Sequence, residues 1–377
     1  MNKGAMWTLS SVLAVAAIGA VAQTPSAPLV NQSFKDSDGG WMAIGQSGKV
    51  SISHEPEITL AGAGALKFEY TLAKGEFSAL MLPAALDAWT KAKSFKFRIR
   101  SDSNAMFAVA LQEQDGGRYT AMLQVPKGSW QPVELAASDF ILSQDATDPK
   151  DPDGKLDLDR VTGIAITDIA AFLLSIDNPA LVSMFDIKPG ARTVYLDSFS
   201  IGTAPISSST SSAGDTVQLD SLVHPQLSWL CLGGLNLTKS AGKPLDSVGI
   251  RADYRQAGGK IFFLSRALPS WVLTGSKVLT FDIASVEPTK LIVQFEQYDG
   301  GKYNMTLDLP GGSVAQHQKL LLSAFTRADD SKDADTKIHL ASVKSIAILD
   351  VTGLLDPSVS KDNSLWIGKL KATTSTN

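Results

Sequence analysis

The sequence predicts an all-β protein made of two tandem antiparallel β-sandwich (jelly-roll) domains. Three observations carry that expectation. Apolar and polar residues alternate with the period of a half-buried strand, as in Leu66, Phe68 and Tyr70 against Lys67 and Glu69. Gly, Pro and Asp punctuate these runs, and no stretch carries a convincing amphipathic helix. Finally, Glu113-Gln114-Asp115-Gly116-Gly117-Arg118-Tyr119 returns as Glu296-Gln297-Tyr298-Asp299-Gly300-Gly301-Lys302-Tyr303, with the two aspartates 184 positions apart (299 − 115). In both copies Asp-Gly-Gly sits between alternating runs and reads as a hairpin turn.

Composition bounds the function classes. A chain of 377 residues can form two domains, each with its own core. A hydrophobic fraction of 44% with 19% charged residues fits a globular protein rather than a disordered one. The net charge of −4 gives no basic balance for nucleic acid, which is not an expected partner. A single cysteine, Cys231, rules out an intramolecular disulfide; it lies in the apolar run 227–232 and reads as a small buried hydrophobe.

Residues 1–22 have the form of a signal peptide. Lys3 precedes an apolar stretch from Met6 to Val21, and Ala20-Val21-Ala22 is a small-x-small cleavage site. The stretch falls short of the roughly 20 residues of a spanning helix. Cleavage after Ala22 predicts a periplasmic or extracellular protein; an uncleaved anchor would give membrane association through this segment. Neither Gly-x-x-x-x-Gly-Lys nor Gly-x-Gly-x-x-Gly occurs, so no nucleotide cradle is expected.

The first domain is placed at 27–203. Gly40 to Ile44 opens it, followed by strands over Gly64–Tyr70 and Phe77–Leu82. Phe95, Phe97 and Ile99 alternate with Lys96, Arg98 and Arg100, and Phe107–Leu111 leads into the first Asp-Gly-Gly turn. Tyr119–Val125 leads out, Trp130–Leu135 and Val161–Ile166 follow, and Val194–Ile201 closes the unit. The stretch 204–216 contains Ser207-Ser208-Ser209-Thr210-Ser211-Ser212-Ala213-Gly214 and reads as a flexible Ser-rich linker. The second domain, 217–374, repeats the landmarks. Trp229 answers to Trp41, Tyr254 to Tyr70, Ala267–Trp271 to Ala85–Trp89, Phe281 to Phe97, Phe325 to Phe140, and Val343–Ile348 to Val161–Ile166.

An alternating strand ending in Glu-x-Asp-Gly-Gly-x-Tyr, a Trp strand, a Phe after aliphatics, an Asp-rich loop, an Ile-Ala-Ile strand and the closing Tyr195-Leu196-Asp197-Ser198-Phe199-Ser200-Ile201 form a familiar series. It resembles the galactose-binding-like jelly rolls, and within them is similar to the carbohydrate-binding modules allied to the complex I intermediate-associated protein family. The resemblance covers both copies. It implies a non-catalytic β-sandwich that binds glycan in some relatives and a protein partner in others. It also implies a structural calcium held by an Asp of the closing strand. Asp197 matches that position, whereas the second copy is read as carrying Trp366 there, so the metal is expected in the first domain only and no other cofactor is expected.

The candidate binding residues come from polar faces and aromatics. Lys96, Arg98 and Arg100 share one strand face, with Gln112 and Gln114 expected on a neighbouring strand; the second copy offers Asp282, Gln294 and Glu296. One face is thus basic and its counterpart acidic. The plain alternative is a solvated sheet face; the functional ones are a ligand face or a complementary contact. Trp89, Trp271, Tyr298 and Trp366 are candidate stacking platforms for the apolar face of a sugar, against core packing as the alternative. Trp41, Trp130 and Trp229 read as core.

The aspartates at 145, 148, 151, 153, 157 and 159 crowd one loop, but Pro149 and Arg160 occupy the ends of the would-be EF-hand, and a solvated turn is expected. His54, His224, His317 and His339 are scattered, and no Gly-x-Ser-x-Gly elbow occurs. The expectation is an exported, non-catalytic protein binding glycan or a protein partner. The alternative is an accessory subunit of a larger extracytoplasmic or membrane-associated complex.

Overall fold

The computed structural model describes residues 27–60, 64–143, 151, 153–175, 187–222, 229–232 and 236–376. The N-terminal segment read as a signal peptide or anchor lies outside them, as do Asp145, Asp148 and His224. Among the described residues no helix is long and apolar enough to cross a membrane.

The first sandwich runs β1 Val30–Gln32, β2 Met42–Gly45, β3 Lys49–Ser53, β4 Ala65–Leu72, β5 Ser78–Pro83, β6 Ser94–Ser101, β7 Ala105–Glu113, β8 Arg118–Val125, β9 Gln131–Ala136, β10 Ile141–Leu142, β11 Val161–Asp168 and β12 Gly190–Gly202. One sheet has the order β3-β4-β12-β6-β9, with β1 also on β12; the facing sheet has the order β10-β8-β7-β11-β5-β2. A short helix, α1 Ala170–Ser175, follows β11.

The second sandwich repeats this plan. Its strands are β13 Ser211–Ala213, β14 Thr216–Gln218, β15 Trp229–Leu232, β16 Asn236–Ser240, β17 Gly249–Ala257, β18 Phe262–Ala267, β19 Val278–Ser285, β20 Thr289–Gln297, β21 Lys302–Leu309, β22 Gln316–Leu321, β23 Thr326–Arg327, β24 Val343–Asp350 and β25 Ser360–Thr373. One sheet is β13-β14-β25-β17-β16, with β19 on β25 and β22 on β19; the other is β15-β18-β24-β20-β21-β23. All ladders between named strands are antiparallel, as in β12 with β4 and β25 with β17. Each sandwich closes on its own apolar cluster, around Phe95, Phe107 and Phe199 in the first and Phe281, Phe295 and Trp229 in the second.

The duplicated turns fold as their sequence dictates. Glu113 N–H donates to Gly117 O at 2.8 Å, and Gln297 N–H donates to Gly301 O at the same distance. Gly116 and Gly300 take φ of 121° and 86°, the left-handed region that side chains avoid. A buried tyrosine–aspartate bond also recurs: Tyr70 Oη donates to Asp168 at 2.7 Å, and Tyr254 Oη donates to Asp350 at 2.6 Å.

Pairing register corrects two of the sequence matches. Met42 pairs with Met81 and Leu230 with Ser265, so Ser265 stands for Met81 and the loops after β5 and β18 are equivalent at the 184-residue spacing. Asp87 and Trp271 then correspond, and both have left-handed φ, 64° and 68°. Trp89 answers to the buried Leu273, not to Trp271. In the closing strands Leu196 pairs with Ile99 and Ile367 with Ile283. Asp197 therefore corresponds to Gly368, and Trp366 to Tyr195. Both matches were displaced by two residues, a slip that alternation cannot reveal because it preserves which face each residue occupies.

The Ser-rich stretch read as a flexible linker is built into the structure. Its residues 211–213 form β13 on β14. Asp139 Oδ1 accepts from Ser208 Oγ at 2.8 Å, Ser209 N at 2.9 Å and Ser209 Oγ at 2.8 Å. From the other side Arg266 Nη2 donates to Ser209 Oγ and Thr210 Oγ1, both at 3.0 Å, while Nη1 meets Asp220 at 3.0 Å. Arg266 and Asp220 are only 1% and 2% exposed. Burial pushes the Asp220 carboxyl up and Arg266 pulls it down; burial wins, leaving it above its ordinary value. Trp229 Nε1 donates to the same carboxylate at 2.5 Å.

The first sandwich solves the same position without charge: Trp41 Nε1 donates to Gln32 at 2.7 Å, and Leu82 fills the place of Arg266. Arg266→Leu is therefore expected to destabilise the protein by about 3–5 kcal/mol, because Asp220 is left as an uncompensated buried charge. Adding Asp220→Gln, which copies the first sandwich, should recover most of that loss in chemical denaturation.

Candidate binding face

The outer faces of the two Asp-Gly-Gly sheets can be compared row by row. In the first, pairing aligns Met42, Met81, Ala165, Ala110 and Thr120. In the second, the equivalent row is Leu230, Ser265, Ala347, Gln294 and Asn304. One row is dominated by apolar groups, and the other carries an amide pair, with Gln294 Nε2 donating to Asn304 Oδ1 at 2.8 Å. The next row toward the turn reads Pro83, Gly163 and Gln112 in the first sheet. In the second it reads Ala267, Ser345, Glu296 and Lys302.

Gln294 and Glu296 lie in successive rows of this second face, and Tyr298 and the loop that carries Trp271 stand at its turn end. Trp271 is 69% exposed and Tyr298 38%. The loop 268–271 is tied to the sheet by Leu268 N–H donating to Lys344 O at 2.8 Å. Ser270 Oγ lies 2.7 Å from Tyr298 Oη, which fixes the tyrosine beside the loop that carries Trp271. Glu296 is ion-paired to Lys344 at 2.9 Å, both partly exposed. The arrangement offers an aromatic platform, hydroxyls, a carboxylate, an ammonium and two amides on one surface. Alternation could not single out Ser270 and Lys344. Their only trace is that Lys344 interrupts the run 343–348 where the first copy has Thr162.

The remaining predicted residues are placed elsewhere. Trp89 is 3% exposed and packs edge-on against Phe95 at 6.3 Å, so it is core and not a platform. Trp366 is 7% exposed, under the Arg251 guanidinium at 5.3 Å. Arg98 lies on β6 of one sheet, whereas Gln112 and Gln114 belong to β7 and its turn in the facing sheet. These strands are therefore not neighbours on one face: the chain crosses the sandwich between β6 and β7. Gln112 accepts from Arg118 Nε at 3.1 Å, and Gln114 is exposed.

Asp282 is separated from Gln294 and Glu296 by the same crossing. Its carboxylate is engaged by His317 at 2.7 Å and Lys369 at 2.9 Å. Partial burial raises its pKa, but these hydrogen bonds outweigh it and the net shift is downward.

The acidic loops brace the hairpins. Tyr119 Oη donates to Asp151, and Tyr303 Oη donates to Asp333 at 2.6 Å. Burial and the adjacent carboxylate both push these phenols up. Glu113 accepts from Asp157 N–H at 2.6 Å, and its own burial raises it above the ordinary range. Asp197 is 1% exposed at a bulge in β12; Oδ1 accepts from Ser198 Oγ at 3.0 Å, and Oδ2 has no hydrogen-bond partner among the described residues. Calcium takes six to eight oxygen ligands. Among the described residues no group of three or more His, Cys, Asp or Glu gathers at one point; calcium at Asp197 would draw its other ligands from carbonyl oxygens.

Residues 21–182 match the family described as carbohydrate binding domain (family 11). Among solved structures, the chain is similar to the family 11 carbohydrate-binding module of a cellulosomal cellulase of Clostridium thermocellum. That likeness has 15% identity and a TM-score of 0.34, and covers 44% of this chain and 97% of that one. A tandem of two family 22 modules from a Paenibacillus barcinonensis protein aligns over 94% of this chain and 99% of its own, at 11% identity and a TM-score of 0.30. No curated protein matches.

Asp282 contributes stability above the unfolded carboxylate value, about 3.9, and that contribution is lost as pH falls through its lower folded value. Wild type should be more stable than Asp282→Asn at neutral pH, and the gap should close below about pH 4. Urea midpoints at stepped pH check this.

Proposed function

We propose that this chain is an exported, non-catalytic glycan-binding protein whose second sandwich holds the ligand on the β15-β18-β24-β20-β21-β23 face. The observation that carries the reading is the exposed Trp271, 69% accessible, in the loop whose Ser270 meets Tyr298 at the end of the sheet face that carries Glu296, Lys344 and the Gln294–Asn304 pair. The indole offers a flat apolar surface to the C–H face of a sugar ring, and the surrounding donors and acceptors suit its hydroxyls. The match of residues 21–182, in the first sandwich, to a carbohydrate-binding family supports the ligand class, and the second sandwich repeats that strand order. Export rests on Lys3, the apolar run to Val21 and Ala20-Val21-Ala22; N-terminal sequencing of the native protein should begin at Gln23.

Isothermal titration against β-1,3-1,4-glucan, xylan and agarose oligosaccharides tests the binding. Trp271→Ala should weaken the tightest of these at least about tenfold, a loss of ~1.4 kcal/mol, while Arg98→Ala on the far sheet of the first sandwich leaves it unchanged. Silence across the panel, or equal binding by Trp271→Ala, sinks the reading.

A second reading, an accessory subunit, is favoured by the first sandwich. Its equivalent face leaves Met42 47% and Ile44 38% exposed beside Met81 and Ala165. A stable stoichiometric complex on native purification, lost in Met42→Glu, is the outcome that supports it.

A further inference from the structure

The seam between the sandwiches contains a cleft of about 290 Å³. Tyr119, Leu142 and Leu156 give it an apolar wall from the first sandwich, and Ser138 and Lys155 add polar groups. The second sandwich contributes Pro269 and Ser270. Ser270 is the residue whose Oγ lies 2.7 Å from Tyr298 Oη, so the cleft opens beside the binding face just described.

From this we infer that the interdomain cleft is a further subsite, taking one terminal sugar ring of a glycan whose next residues lie on Trp271 and Tyr298. The inference rests on the glycan reading above. Its volume falls just below the range of drug-sized small-molecule sites, about 300–1,000 Å³, which suits a single ring and not a chain passing through. A pyranose has an apolar face and a rim of hydroxyls, and the cleft matches both with an aliphatic wall and the Ser138, Ser270 and Lys155 donors. Both walls are held by the same joint. Ser138 precedes Asp139, which binds the linker, and Pro269 and Ser270 follow closely on Arg266, which binds it from the other side. The subsite is therefore present before ligand arrives, and little ordering opposes binding.

The test uses the full chain and disaccharides and tetrasaccharides of β-1,3-1,4-glucan and xylan in calorimetry. In wild type the tetrasaccharide, which spans the cleft and the Trp271 face, should bind about tenfold more tightly than the disaccharide, which can occupy the Trp271 face alone. Ser138→Trp, which fills the cleft from an exposed position, should abolish that length advantage and spare the disaccharide. Lys155→Ala should reduce the advantage without adding bulk, and unchanged urea midpoints show that both variants fold. If Ser138→Trp and Lys155→Ala keep the full advantage, or wild type shows none, the cleft subsite is wrong while the Trp271 face stands. If Trp271→Ala binds like wild type, or no oligosaccharide binds, the parent reading fails and the cleft falls with it.

Discussion

A buried guanidinium ties the core of the second sandwich to the segment that joins it to the first. Arg266 sits where an aliphatic side chain would do, as Leu82 shows in the first copy. A charge taken out of water demands partners, and it finds them in Asp220, Ser209 and Thr210. Two of those three belong to the segment between the sandwiches. Ser209 in turn donates to Asp139 of the first sandwich, so a desolvation requirement inside one core is met partly by the connection to the other. The first core closes with Leu82 and an uncharged Gln32–Trp41 bond and, among the described residues, makes no such tie to the connection. The polar solution ties the joint to the integrity of the second core, and it fixes the rims of the seam.

Within that frame the two copies have diverged on one face while keeping the other side of each strand. The inward positions of β7 and β20 remain Phe107, Val109 and Leu111 against Leu291, Val293 and Phe295, all buried. The outward positions have no core to satisfy and are free to change, since a strand exposes every second residue. There Ala110 becomes Gln294, Gln112 becomes Glu296, Gln114 becomes Tyr298 and Asp87 becomes Trp271. The last change is instructive. Position 271 holds φ of 68°, a backbone state that a bulky residue adopts only at a cost. The turn hydrogen bonds on either side, from Val272 to Pro269 O and Thr274 to Trp271 O, fix the chain there and project the indole outward. Core packing gives no reason for a tryptophan at that point.

The fold was legible because it depends on what alternation reports. Period two, the Asp-Gly-Gly turns and the duplication are local signals, and they were enough to specify two antiparallel sandwiches. What alternation does not report is which sheet a strand joins. Arg98 and Gln112 share a polar, outward character and nearby positions in sequence, yet they lie on opposite sheets because the chain crosses between β6 and β7. The same blindness to register set Trp89 against Trp271 and Asp197 against Trp366. The proposed site was half visible. Gln294, Glu296, Tyr298 and Trp271 stand out as polar or aromatic residues in outward positions or in loops. Ser270 and Lys344 do not, because their roles come from a loop folding back on a strand far away in sequence.

The polar groups of the proposed binding face are paired with one another. Gln294 spends a donor on Asn304, Glu296 is paired with Lys344, and Tyr298 with Ser270. A sugar hydroxyl arriving there exchanges one hydrogen bond for another, and such exchanges contribute little net free energy, about 0.5–1.5 kcal/mol each. They are nevertheless directional, and an epimer that cannot reproduce them leaves a donor or acceptor unpaired. The exposed indole behaves differently, since its flat surface has only water to lose. Affinity should therefore come mainly from the apolar contact on Trp271, and discrimination among sugars from the polar pairs beside it.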